Sequence, residues 1–143
     1  MTLTLELAQA IVAGALAEAR RRKAKPLAVI VLDAGAHPVA FAREDKASLF
    51  RFDIARAKAS GAIGMDADTS VLAERARSNP VFFHSVSDVV GGQIAFSPGG
   101  VVIRNALGMA IGAVGISGDT GECDAECAHA GIAAAGLSRE TIS

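Results

Sequence analysis

Glu122, Glu126 and His129 are separated by steps of four and three, a spacing that returns all three to one face of a helix. Two carboxylates and an imidazole so placed are a ligand set for a divalent or iron ion. The same pattern also suits a helix whose first turn is enriched in acids to match its dipole. Upstream, Pro98-Gly99-Gly100 and Ser117-Gly118 end apolar, β-branched runs with glycine turns. A strand entering a helix at such a corner presents backbone N–H groups and the positive end of the dipole to an anion or polar ligand. Pro98, Gly99, Gly100, Ser117 and Gly118 are therefore candidate ligand-binding residues. Asp124, facing the corner or capping its turn, is a candidate proton carrier.

Asp33, Arg43, Asp45 and Lys58 fall at strand or turn ends and on a small-residue helix. They can converge on one ligand, the cations holding a carboxylate and the acids a hydroxyl or ammonium. Equally, they can be ion pairs that pin a hairpin to a helix. Asp33, Arg43, Lys58 and Asp124 thus form the candidate catalytic set of an enzyme acting on a small carboxylated or aromatic-derived metabolite. His37, in a turn, and His84, after Phe82-Phe83, are candidate haem ligands or simply a turn residue and a half-buried side chain near core Phe. With no Cys-x-x-Cys-His attachment motif, a haem would be noncovalent. Cys123 and Cys127 read as small buried hydrophobes or as thiols with a chemical role, and no other cysteine completes a zinc site. Phosphate-loop, Gly-x-Gly-x-x-Gly, His-Glu-x-x-His and nucleophile-elbow motifs are missing, so no nucleotide cofactor is expected.

The elements that must position these residues are punctuated clearly. Thr4 caps a helix over about residues 5 to 24, with Leu7, Ile11, Val12, Ala15, Leu16 and Ala19 at helical spacing and Pro26 as its stop. Leu27 to Leu32 is a continuous apolar run suited to a central strand, and Val39 to Arg43 is its hairpin partner. A second helix opens at Ser48 or Asp53 and runs through about Ile63, with an Ala- and Gly-rich face that can lie close to a sheet. Thr69 or Ser70 caps a third helix to about Ser78, Asn79-Pro80 breaks it, and Val81 to Val90 is helical or irregular. Gly92 to Phe96, Gly100 to Arg104 and Met109 to Ser117 read as three strands, and Asp119 or Thr120 caps a last helix to about Leu137. The expected architecture is α+β, a five-stranded antiparallel sheet flanked by helices, with the two terminal helices together on one face.

Composition sets the bounds. The 143 residues suit a single domain over 1–143, and with 51% hydrophobic residues but six Phe and no Trp or Tyr, the core must be built from Ala, Val, Ile and Leu. A net charge of −1 and the lack of a basic, aromatic-interleaved stripe argue against nucleic acid. Arg104 and Asn105 interrupt the longest apolar region, which argues against a membrane span. The acids of the first helix precede its basic end, the reverse of a secretory signal, so the expected location is cytoplasmic. Surplus apolar surface points to a homo-oligomer.

These residues also resemble a known family. Val31-Leu32-Asp33-Ala34-Gly35, Phe41-Ala42-Arg43, Asp53-Ile54-Ala55 with Lys58-Ala59, Pro98-Gly99-Gly100, Gly112 to Gly118, and Glu122-Cys123-Asp124 with Ala130-Gly131 occur in the order of the GlcG/HbpS-like family across nearly the whole chain. The resemblance implies a profilin-like α-β-α fold and homo-oligomers from dimer to octamer. It also implies small-ligand binding, with haem the leading named ligand, haem degradation in some members, and catabolic-operon roles as an enzyme or accessory subunit. Axial histidines near the N-terminus are implied as well, yet the first helix here carries none. A shared fold does not choose among these activities.

Overall fold

The computed structural model describes residues 2–137; the rest of the expected 1–143 unit lies outside the described residues. The elements follow the order α1 (Leu5–Arg21), β1 (Ala28–Asp33), β2 (Pro38–Arg43), α2 (Arg51–Met65), α3 (Thr69–Ser78), α4 (Pro80–Val89), β3 (Gly100–Arg104), β4 (Ala110–Ser117) and α5 (Gly121–Ala134). Two threonine caps act as their position demands: Thr4 Oγ1 accepts from Leu7 N at 3.1 Å and Thr120 Oγ1 from Cys123 N at 3.2 Å. The α2 helix begins at Arg51, between the two expected starts, and has no side-chain cap. Val81 to Val90 resolves as helical, with Pro80 in its first turn, where a missing N–H costs nothing.

The sheet order is β2-β1-β4-β3, every pair antiparallel. Strand residues alternate between two cores, as the pleat requires. Val29, Val31, Val101, Ile103, Val114 and Ile116 face α1 and α5, where they meet Ile11, Ala15, Ala19, Ala128 and Ile132. Ala28, Ile30, Leu32, Val102 and Ala113 face α2, against Ala55, Ala59 and Ala62. The result is the expected α-β-α layering, with the terminal helices sharing one face. Their approach is tight enough that a Cβ on Gly131 would fall on the Ile11 carbonyl oxygen.

One expected strand is corrected. Among the described residues the sheet has four strands rather than five, because Gln93 to Phe96 turns its side chains to other partners. Ile94 presses on Gly61 of α2, the Gln93 carbonyl accepts from Ser60 Oγ, and the Phe96 ring meets Phe83 edge-on at 5.3 Å. Leu72, Phe83 and Ile94 form a third, small core under α3 and α4.

At the end of α1, Glu18 accepts from Arg21 Nε at 2.9 Å and from Arg22 Nε at 2.6 Å. These hydrogen bonds, Arg21's first, hold its carboxyl down to about 2. A carboxylate lowered in the fold contributes stability above its unfolded value, and that contribution is lost as pH falls toward the folded one. Urea unfolding should therefore show Glu18→Gln less stable than the parent near about pH 6, with the gap closing by about pH 2. An unchanging gap would show that the Glu18 charge has no part in it.

Candidate functional site

The four candidate catalytic residues occupy three places. Asp33 ends β1 at the hairpin turn, whereas Arg43 pairs with Ala28 at the opposite end of the same hairpin. Arg43 is exposed and lines a shallow cleft of about 380 Å³ with Arg20, Pro26, Glu44 and Asp45. Convergence of Asp33, Arg43, Asp45 and Lys58 on one ligand is thereby ruled out, since six-residue antiparallel strands hold their ends about 17 Å apart.

Lys58 and Asp124 do meet, and they meet inside the protein. Lys58 is 3% exposed and Asp124 1%. Lys58 Nζ donates to Asp124 Oδ2 at 3.1 Å and to the Ile116 carbonyl at 2.9 Å, while Asp124 Oδ1 accepts from Asp119 N at 3.1 Å. Burial pushes the Lys58 ammonium down and the Asp124 carboxyl up, and their mutual attraction opposes both shifts. Beside them Arg51 Nη1 donates to the buried Ser117 Oγ at 3.2 Å, and the Arg51 charge also bears on Lys58. With their bonds directed at each other and at the backbone, Lys58 and Asp124 tie α2 to α5 around the end of β4.

The glycine corner closes on this pair. A Cβ on Gly99 would lie 2.9 Å from Lys58 Nζ, one on Gly100 would fall on the Lys58 carbonyl oxygen, and one on Gly121 would touch Pro98 at 2.9 Å. Gly100 N donates to Thr69 Oγ1 at 2.8 Å, and Thr120 N to Asp119 Oδ1 at 2.7 Å. Asp119 N is taken by Asp124 and Cys123 N by Thr120, so these donors serve the fold. At Gly99, Gly100 and Gly118 the glycines are required by close approach of the protein's own backbone and side chains. Thr69, fully buried, and Arg51 were missed in the sequence. Thr69 reads there as a helix cap, and nothing local marks Arg51.

The acidic stripe on α5 also disperses. Glu126 leans toward Arg22 on α1 at 3.9 Å, while the charge of Glu122 bears on Arg77 of α3. Among the described residues no group of three or more His, Cys, Asp or Glu could hold a metal ion, which corrects the metal reading of Glu122, Glu126 and His129.

His84 is exposed on α4, next to a Phe82 that is itself 53% exposed, so the expected half-buried position is corrected. His37 lies on the wall of an open cleft of about 530 Å³, shared with Thr2, Leu3, Asp33, Ala34, Gly35, Ala110 and Ile111. Its Nδ1 is 3.3 Å from Asp33 Oδ1, which also accepts from Gly35 N and His37 N, each at 2.9 Å. Hydrogen bonds from the backbone, that of His37 foremost, hold the Asp33 carboxyl below its ordinary value. The His37 side chain is otherwise mostly exposed, with the Asp33 carboxylate beside Nδ1.

Fold and cleft together define a small α-β-α protein with the His37 imidazole on the wall of an open cleft. The chain belongs to the HbpS-like family of haem-degrading proteins, which it matches over residues 3–133. It is similar to the structure of a PduOC:heme complex at 25% identity and a TM-score of 0.85, covering 94% of this chain and 95% of that one. To the crystal structure of HbpS it is 28% identical with a TM-score of 0.82, over 93% of this chain and 89% of the other. Protein ORFY of Klebsiella pneumoniae shares the fold, with a TM-score of 0.87 at 24% identity over 95% and 92% of the two chains. No curated protein matches significantly. No helix among the described residues is long and apolar enough to cross a membrane.

Proposed function

We propose that this chain binds haem or a related planar ligand noncovalently, with His37 Nε2 as the group that meets its iron. The HbpS-like match over residues 3–133 carries the reading, and the similarity to a protein solved with heme supports it. The cleft suits such a ligand: Leu3, Ala34, Ala110 and Ile111 give it apolar walls, and its volume of about 530 Å³ lies within the range of small-molecule sites. Asp33 acts through His37, fixing the ring and raising the basicity of its outer nitrogen. An iron porphyrin held there would supply ligand-binding or redox chemistry. The Lys58–Asp124 pair supplies nothing to this cleft, because Ile116 lies four residues along β4 from Gly112, the partner of Asp33. Exposed Leu49 and Phe50, 71% and 66% accessible, support assembly into a homo-oligomer.

A hemin titration followed in the Soret region tests the proposal. The parent should show a saturable shift, lost in His37→Ala and retained in His84→Ala and His129→Ala. Asp33→Asn should weaken binding by about tenfold, the usual effect of removing a carboxylate behind a ligating imidazole. No saturable shift in the parent would refute haem binding. A shift that survives His37→Ala would refute the assigned ligand.

A further inference from the structure

We propose that a second cleft, between the ends of α2 and α4 and the β1–β2 turn, binds a neutral aromatic molecule of one or two rings that carries one hydrogen-bond donor. Its walls are Ile63 and Met65 of α2, Val86 and Val90 at the end of α4, and Ala34 and Ala36 of the turn, and its volume is about 350 Å³. An apolar cavity of about 150 Å³ already accepts benzene, which sets the size at one or two rings. No ionisable side chain lines the cleft among the described residues, so a charged ligand would lose its water without gaining a counter-ion. The His37 cleft shares only Ala34 and Gly35 with it.

Three features of the lining point to such a ligand. Gly64 stands inside α2, where glycine weakens a helix. Its φ is not left-handed and nothing lies within 4 Å of a Cβ built on it, so neither backbone conformation nor contact requires glycine there. Gly61, one turn earlier, is the contrast, because its Cβ would fall on the Ile94 side chain. The space that Gly64 leaves open belongs to the cleft. Ser60 supplies the polar point. Its hydroxyl donates to the Gln93 carbonyl, so the oxygen's lone pairs are left to accept, and an O–H or N–H on the ligand is the matching group. Met65 offers a flexible thioether, which packs well against the edge of an aromatic ring. Entry needs little rearrangement, since α4 buries one residue, Phe83, and the wall it forms can yield to a ring.

The experiment is a titration of the full chain with indole, followed by indole fluorescence in a protein that has no Trp or Tyr of its own. The expected result is a saturable blue shift with one indole per chain and a Kd below about 1 mM. The N-methylated indole, which lacks the donor, should bind the parent about tenfold more weakly, and Ser60→Ala should bind the two probes equally. Gly64→Leu, placed where a Cβ meets no protein atom within 4 Å, should keep its fold by far-ultraviolet circular dichroism and lose binding. His37→Ala should bind indole as the parent does, which separates this cleft from the haem cleft. Saturation with indole should also slow hydrogen exchange of the α4 amides, because the ligand bridges α4 to α2. Lack of saturation, binding retained by folded Gly64→Leu, or equal binding of the two probes by the parent would each overturn the proposal.

Discussion

Replacing Lys58 by Met should lower the stability of the protein by about 3–5 kcal/mol, measured by urea unfolding near neutral pH, because it strands a buried carboxylate without its cation. Asp124 is 1% exposed, and after the change Asp119 N is the donor left to it by the fold. Met approximates the volume of the lysine stem, so a cavity contributes little and the electrostatic loss dominates. The pH dependence follows from the direction of the Asp124 shift. Burial raises this carboxyl in the fold above its value in the unfolded chain, so the folded variant holds a proton that the unfolded chain gives up. Stability of Lys58→Met should therefore fall as pH rises through the carboxylate range, and its deficit against the parent should shrink in acid. Adding Asp124→Leu to the variant should restore much of the loss, since an apolar pair requires no desolvated charge. A single variant as stable as the parent, or a double variant no better than the single, would show that Lys58 does not offset the burial of the Asp124 charge.

A second substitution tests the closeness of the layers. Gly115→Ala should cost about 3 kcal/mol, at the upper end of what overpacking a core usually costs, with the thermal midpoint falling accordingly. The added methyl would strike the Ala55 carbonyl oxygen and lie 2.9 Å from both Ala59 N and Ala59 Cβ. All three belong to the backbone or first carbon of α2, so no side chain can rotate away and the helix itself must lift off β4. Gly64 provides the control on the same helix: nothing lies within 4 Å of a Cβ there, and Gly64→Ala should stabilise by up to about 1 kcal/mol through helix propensity. Equal effects of the two substitutions would disprove the close-packing account.

What could be read from the chain beforehand divides along the distance over which residues act. The Thr4 and Thr120 caps, the run that became β1 and the limits of β3 and β4 are local signals, set by propensity and spacing, and the structure follows them. Gln93 to Phe96 has the composition of a strand, but its partners are Gly61 and Phe83, chosen by tertiary packing. The Lys58–Asp124 bond joins residues 66 positions apart, and no local pattern announces such a pairing. The glycines of the corner carried a real signal with two physical causes. Gly permits close approach, and the sequence does not distinguish approach by a ligand from approach by the protein's own Lys58. In the acidic stripe, helical spacing correctly gives one face but is silent on the arginines that neighbouring helices bring to it. Arg51 and Thr69 reach the corner through partners on β4 and β3, far away in sequence, which is why neither stands out in the chain.

The small core beneath α3 and α4 has a dynamic consequence. It rests on only three buried side chains, Leu72, Phe83 and Ile94, whereas Val81, Phe82 and Val89 on α4 lie open to solvent. Because local opening free energy follows the apolar area an element buries, α4 should open at a fraction of the global unfolding cost, while α3 is held to β3 through Thr69 and Gly100. Amide hydrogens of α4 should accordingly exchange with solvent long before those of β1 and β4, so that the molecule breathes at this corner while its sheet stays shut.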